Sequence, residues 1–507
     1  MAVYVTRRRK VEEDLTIDVV FLCKKIIRFR IMVDFWSSFK TMQSDQQSLN
    51  LKREVGLIGA VSFIAGTMIG SGIFITPQFV LSAVGSPGAS FFIWASCGLL
   101  AILAGLCYAE LGATIPESGG EFNYILKTSG NVVAFMFTFS YTAIVRPASA
   151  TGVALAIAEN VLAPFYGDCV PPPVLIKCIA AGCIVVFTAV NCLSVRLATI
   201  VQMVSMAMKL LALTVIVMGG VVMLFLGNTE NFHNSFEGTN FGISQFGIAF
   251  YQGLWSYGGW NTLNYITEEL KNPQVNLLRA VVIGVSLVTG LYLLVNVSYL
   301  TVMTPKELMS SPAVAVTWGN KVFGNWGWIM SVAAALSAVG TLNGTFFSGG
   351  RMCFVAAREG HMPDILSMVH VERLTPSPAL LFTALVSLLV LIPGDLQSIV
   401  NYFSFTAWFF YGITISGLLY LKIKKPNLHK SYKVPILVPI IVVIAAILLV
   451  LAPIIDNPQT EYLYVISLIL SGAIIYIPFI HYHLCSGLLT KPTQYLQILL
   501  EVAPEEK

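Results

Sequence analysis

From about Glu54 to His481 the chain repeats one pattern, an apolar run of roughly helix-spanning length followed by a short polar interruption. A bilayer-crossing helix needs about 20 mostly apolar residues at about 1.5 Å rise each. Runs of that kind fall near 55–80, 89–113, 131–162, 174–195, 198–226, 243–267, 278–303, 327–356, 378–394, 397–421, 434–454 and 462–482. Charged residues make up only 11% of the chain, against about 25% in an ordinary soluble domain. The expectation is an all-α integral membrane protein with about twelve transmembrane helices. The piece at 107–130, with Glu110, Glu117 and Glu121 among glycines, reads as a re-entrant or surface helix between the second and third spans.

Lysine and arginine placement orients the chain. With the N-terminus inside, the inner loops hold Lys127, Arg196, Lys271, Arg279, Arg351, Arg358, Arg373, Lys422, Lys424, Lys425, Lys430 and Lys433. The outer loops hold only Lys177, Lys306 and Lys321. Both termini are therefore expected on the cytosolic side. Residues 1–54, basic at Arg7–Lys10 and again at Lys24 to Arg30, read as a cytosolic tail, with an interfacial helix over 16–36 as the alternative. The apolar patch Val19 to Cys23 is too short for a cleavable signal peptide. Sequons at Asn296 and Asn343 fall inside spans, out of reach of glycosylation. Nine cysteines show no CxxC or Cys/His ligand spacing, so no metal, cofactor or disulfide framework is expected.

Two spans are interrupted. The first contains Gly66-Thr67-Met68-Ile69-Gly70-Ser71-Gly72 and the sixth Ser256-Tyr257-Gly258-Gly259-Trp260-Asn261. Each glycine weakens a helix by about 1 kcal/mol relative to alanine. Unwound backbone is tolerated in hydrocarbon only where it lines a cavity or is buried in protein. Paired breaks at corresponding places in two halves point to a transport site. Freed N–H groups around Ser71 and Gly72, at a half-helix N-terminus, suit a carboxylate. Freed carbonyls near Met68, Trp255 and Gly258 suit an ammonium group, with Gly259 and Asn261 alongside. Close helix packing through glycine is the plainer alternative.

Two cations lie inside spans, Arg146 and Lys209, and intramembrane charge is a functional candidate by default. Lys209 sits mid-span, where its ammonium suits a position that sodium holds in sodium-coupled relatives of this architecture; a structural ion pair is the alternative. Arg146 precedes Pro147, so it is either a substrate contact or the anchor of a helix kink. Aromatic residues gather at Trp255, Tyr257, Trp260, Tyr402, Phe403, Phe405 and Trp408, and Trp255 adjoins a break.

The strings GTMIGSGIF at 66–74, SYGGWN with TEEL at 256–270 and AREGHMP at 357–363 resemble the amino acid–polyamine–organocation superfamily. More narrowly, the chain from about residue 52 to the terminal LLEVAPEE is similar to the light subunits of heteromeric amino-acid transporters, the L-type family. The resemblance implies a LeuT-like 5+5 inverted repeat, spans one to five over 55–226 and six to ten over 243–421, with two added helices over 434–482 and a C-terminal tail over 483–507. It also implies sodium-independent exchange of neutral amino acids at a plasma membrane, the apical membrane of an epithelium being the narrower implication. A single-span glycoprotein heavy chain would be joined through Cys169, an internal bridge to Cys178 being the alternative. GLW at 253–255 and LAPII at 451–455 look like the cystine and dibasic exchanger. That subfamily carries an aspartate where this chain has Gly258, which argues against dibasic substrates. The cystine–glutamate exchanger has a span-ten arginine where this chain has Ala407, although Arg146 matches its span-three arginine. Neutral amino acids remain, with cystine as a further candidate.

A channel would show a filter-like repeat, and an enzyme facing catalytic groups such as HExxH, GxSxG or paired intramembrane carboxylates; none is present. His361 reads as part of a cytosolic gate. No nucleic-acid partner is implied.

Overall fold

The computed structural model describes the chain from Gly56 onward, apart from 118, 167–170, 266, 268–269, 312, 374, 395, 425–431, 457–459, 483–485 and 505–507. The expected N-terminal tail and Cys169 lie outside the described residues.

The first span is two helices, α1 (Leu57–Met68) and α2 (Gly72–Val84), bent by 51° across a three-residue break. Helix α3 (Pro87–Thr114) is the second span, opened by Pro87 and by the Ser86 hydroxyl, which accepts from the Ala89 N–H. It absorbs 107–114, so only α4 (Glu121–Ser129) remains of the expected re-entrant piece. The third span runs through α5 (Asn131–Ser140), a π-helical turn (Tyr141–Val145) and α6 (Arg146–Tyr166). Helices α7 (Pro173–Leu193) and α8 (Val195–Phe225) are the fourth and fifth spans.

The sixth span begins as α9 (Ile243–Ser256), unwinds, and continues as a 3-10 turn at Thr262–Tyr265. Helix α10 (Pro273–Val302) is the seventh span. Two short helices then follow, α11 (Pro305–Ser310) and α12 (Val314–Phe323). The eighth to twelfth spans are α13 (Trp328–Arg358), α14 (Ser377–Leu391), α15 (Leu396–Lys424), α16 (Leu437–Asp456) and α17 (Thr460–Tyr476).

By length and hydropathy, eight of these helices cross a membrane unaided, and the bent first span makes nine. The sixth falls short because it is broken, while α14 and α16 are simply shorter apolar helices. Among the described residues eight or nine spans meet that measure, and the expected twelve are reached by adding the broken sixth run, α14 and α16.

Burial sorts the spans into centre and rim. The most apolar stretch of the third span is 67% buried, whereas those of the fourth and twelfth are 17% and 11% buried. The rim faces are aliphatic, as at Val185, Val186, Leu385 and Leu448, which suits lipid rather than water. The centre instead holds buried polar groups, including Lys209, Glu110, Glu121, Asn264 and Gln252, each 0% exposed. Helix α10 packs against α1, α3 and α8, while α13 packs against α6 and α8, and α9 lies along α2.

The C-terminal tail is more structured than expected. Helix α18 (Ser486–Leu500) leads into β2 (Val502–Pro504), which pairs antiparallel with β1 (Met368–His370), Val369 opposite Ala503.

Candidate functional site

The two breaks meet. At the first, α1 closes on Met68 and α2 restarts at Gly72; across the break the Ile69 N–H still donates to the Ala65 carbonyl and the Ser71 carbonyl accepts the Phe74 N–H. A Cβ on Gly72 would stand 2.7 Å from the Ser256 Cα, so only glycine lets the two broken helices approach this closely. Gly259, at φ +110, sits in a region L side chains rarely adopt, and a Cβ there would reach the Thr67 side chain at 2.7 Å. The Thr76 and Ser256 hydroxyls share a hydrogen bond of 2.7 Å across the contact.

Between the breaks lies a cavity of about 110 Å³. Met68, Ser71, Gly72, Arg146, Trp255, Gly258, Gly259, Asn261 and Trp408 all line it, so nine separated sequence positions converge on one space. The backbone arrangement differs in part from the sequence reading. The Met68 carbonyl accepts the Tyr292 hydroxyl at 2.8 Å, and the same hydroxyl lies 2.9 Å from the Ser256 carbonyl. Tyr292 thus ties both broken helices to the seventh span. The Trp255 carbonyl accepts the Gly258 N–H at 3.0 Å, because the unwound segment is a turn rather than a splayed end. What the N-terminus of α2 offers is unchanged: backbone N–H groups at the positive end of a half-helix.

Side-chain pairs narrow the cavity at two ends. At one end Trp255 stands edge-on to Phe403, ring centroids 4.8 Å apart, and Gln252 donates to Asn401 at 3.0 Å. At the other, the Tyr141 and Tyr265 hydroxyls hydrogen-bond at 2.9 Å. The Arg146 guanidinium lies over both tyrosine rings, 4.7 and 5.7 Å from their centroids, and donates to the Ser348 hydroxyl at 3.0 Å. Asn261 donates to the Glu121 carboxylate, which α4 holds fully buried. Arg146 follows the π-helical turn of the third span, a distortion that often marks a functional position. Glu121, Tyr141, Tyr265 and Tyr292 were not legible as site residues, since each acts through a partner more than 30 positions away.

Lys209 is beside the cavity rather than in it. Its ammonium donates to the Gly66 carbonyl at 3.0 Å and to the Thr341 hydroxyl at 3.1 Å, linking the fifth span to the first and eighth. Of the aromatic group, Trp255, Trp260, Phe403 and Trp408 line the cavity. Tyr257 instead packs on Trp94 and Tyr292, while Tyr402 and Phe405 pack on Tyr462. His361 is buried edge-on against Phe122 and Phe135, and burial pushes its imidazole below the ordinary range. Asn296 and Asn343 are buried and bonded to backbone carbonyls, as their place inside spans requires.

Many membrane-spanning helices around a central cavity, walled by two interrupted spans, define a solute carrier. The chain belongs to the amino acid permease family, whose model matches residues 55–477, and it is an amino-acid transporter. It is similar to the human (Homo sapiens) b(0,+)-type amino acid transporter 1, 47% identical over 92% of this chain and 97% of that protein. The same transporter of Oryctolagus cuniculus is 48% identical over 92% of this chain and 96% of its own length. Large neutral amino acids transporter small subunit 2 of Oryctolagus cuniculus is 43% identical over 80% of this chain and 76% of its own length. These relatives are named as transporters or transporter subunits, not as enzymes.

Proposed function

We propose that this protein is a sodium-independent exchanger of neutral L-amino acids, with cystine among its substrates, acting as the light subunit of a disulfide-linked heterodimer in the plasma membrane. The convergence of both helix breaks on one central cavity carries the reading. Backbone N–H groups at Ser71 and Gly72 would receive the substrate carboxylate. The polar backbone of the Ser256–Gly259 turn would receive the ammonium. Side-chain selection then falls to Arg146, Trp255, Gly258, Gly259, Asn261 and Trp408.

Two observations support the finer points. The Lys209 amino group occupies the space between the first and eighth spans, bonded to the Gly66 carbonyl and the Thr341 hydroxyl, where a metal cation would otherwise have to sit. Among the described residues lining the cavity, none is acidic, and Arg146 is the charged one. A lysine or arginine side chain would meet the like charge of Arg146, while the Glu121 carboxylate stands behind Asn261 rather than on the cavity wall. We read 55–226 and 243–421 as inverted repeats because each opens on a broken span, and both termini as cytosolic from the lysine and arginine bias.

The deciding experiment is reconstitution with each single-span glycoprotein heavy chain in turn. Uptake of leucine, cystine and arginine is then compared with and without internal amino acid and with sodium replaced. Trans-stimulated leucine uptake indifferent to sodium is expected; unsaturable flux would indicate a channel and end the reading. Cys169→Ser should remove the higher-mass species on a non-reducing gel, and its persistence would end the heavy-chain assignment. The second reading, exchange of cystine and dibasic for neutral amino acids, is favoured by the 47% identical b(0,+)-type relative. Arginine uptake comparable to leucine would establish it.

A further inference from the structure

Among the described residues, and outside the central cavity, a groove of about 550 Å³ lies between α15, α16 and the end of α4. It opens on the rim: Tyr420, Ile447 and Leu451, which line it, are 49%, 51% and 43% exposed, on helices whose outward faces are aliphatic. We infer that this groove is a sterol-binding site, and that its occupant bears on the transport cavity through Trp408.

The shape argues for a rigid occupant. Gly412 gives one wall a flat face, since a Cβ there would meet only the Ala446 methyl, at 3.2 Å. From Trp408 to Tyr420 the groove follows one helix for twelve residue-to-residue steps. That is about 18 Å of depth by helical rise, comparable to a sterol's fused rings and the start of its tail. A fused-ring system loses little conformational entropy on binding, while a flexible acyl chain must be ordered along the same wall.

The chemistry along that length is uneven, and this distinguishes a sterol from plain hydrocarbon. Toward Trp408 the lining is Phe409, Val450 and Leu451. At the opposite end, near the lysine-rich side, Thr128, Ser129 and Ser416 bring three hydroxyls together. Thr128 donates to the Tyr124 carbonyl at 2.7 Å and Ser416 to the Gly412 carbonyl at 2.7 Å, so their oxygens keep lone pairs for an incoming hydroxyl. A lone hydroxyl in hydrocarbon is costly unless bonded, and this end satisfies it. The same end carries Leu418-Leu419-Tyr420-Leu421-Lys422, which fits the leucine–tyrosine–lysine spacing proposed for sterol contact. That pattern recurs by chance in apolar helices; here its tyrosine falls on the groove.

Trp408 lines both the groove and the central cavity, so a single indole separates the two spaces. Sterol against its outer face restricts the rotamers available to its inner one. Binding itself does not depend on the transport reading, but the coupling does.

The test uses the full-length protein in phosphatidylcholine vesicles with a photoactivatable cholesterol analogue. Label should map to peptides containing 408–420 or 443–451, and cholesterol should compete while its 3α-hydroxyl epimer competes poorly. Ile447→Trp, which fills the groove, should cut labelling about threefold or more, and Ser416→Ala, which removes only a hydroxyl, by a smaller factor. Leu448→Trp, one position round the same helix and outside the groove, should label as the parent does. Raising membrane cholesterol should change the exchange rate about threefold in the parent and leave Ile447→Trp unmoved. Label elsewhere, equal labelling of Ile447→Trp, or equal competition by the epimer overturns the site, the last marking the groove as an acyl-chain crevice. Normal labelling with a cholesterol-independent exchange rate overturns the coupling alone; loss of all exchange with normal labelling overturns the transport reading instead.

Discussion

Lys209 and Arg146 are both cations inside the membrane-spanning body, yet their surroundings differ in kind. Lys209 is fully buried and points at a backbone carbonyl and a hydroxyl, its ammonium bonded to neighbouring helices rather than lining the cavity. Arg146 borders the central cavity, bonds one hydroxyl through a terminal nitrogen, and has an Nε without a partner among the described residues. The difference separates a cation that joins helices from one that faces a solute. Buried charge alone makes both functional candidates; satisfaction of the donors tells them apart.

The largest effect expected from this contrast is at Lys209. Lys209→Met keeps volume but leaves the Gly66 carbonyl and the Thr341 hydroxyl without their donor, two positions upstream of the end of α1. An unmade buried hydrogen bond costs about 1–3 kcal/mol. Exchange should fall by about tenfold or more for every substrate alike, with surface biotinylation showing the protein still delivered. A substrate-dependent loss would mean that Lys209 faces the solute after all.

Arg146→Gln should behave differently. Leucine uptake should drop by only about threefold, while the arginine-to-leucine ratio rises, because the positive charge on the wall has gone. Parallel loss of all substrates, as at Lys209, would erase the distinction and leave Arg146 as a helix anchor. Gly258→Asp tests the same idea from the opposite wall. A Cβ there meets only the Trp255 carbonyl, at 3.0 Å, so the acid fits after a small shift. The arginine-to-leucine ratio should rise by about twofold to fivefold, and the change should add to that of Arg146→Gln if the two charges act independently.

The contrast also marks how far sequence reasoning reaches. Hydropathy periods anticipated the long apolar helices, because lipid leaves the chain few choices. The breaks were legible for a related reason: glycine clusters within apolar runs have few uses, and close approach at Gly72 and a left-handed turn at Gly259 are two of them. Partner identity was not legible. Nothing local to Tyr292 says that its hydroxyl will reach Met68 and Ser256, and nothing at Glu121 names Asn261 as its donor. The Trp255 carbonyl was expected to be free because unwinding releases acceptors in general; a tight turn recaptures them. The Thr304-Pro305-Lys306-Glu307 start of α11 forms a capping box, a signal local to four residues.

That cap supplies the aqueous counterpart to the two buried cations. Lys321 bonds both Glu307 oxygens at 2.7 Å, and Glu307 also accepts the Thr304 N–H at 2.8 Å. The Lys321 ammonium, and after it the Thr304 N–H, pull the Glu307 carboxyl down to about 2. Both partners are more than a third exposed, so screening leaves the pair worth no more than about 1 kcal/mol. The sign is fixed by the lowered value. Stability from Glu307 is complete above its ordinary range near 4.5 and fades only as pH falls toward 2. Amide exchange of 305–310 should therefore be indifferent to pH-dependent loss of the cap between 7 and 5, once the intrinsic exchange rate is divided out, and begin to lose protection below about 4. Glu307→Gln should show the weakened protection at every pH while exchange of substrate stays at the parent rate. A transport defect as deep as that of Lys209→Met would mean that a solvent-facing charge pair controls the carrier as strongly as a buried one, which screening at that surface rules out.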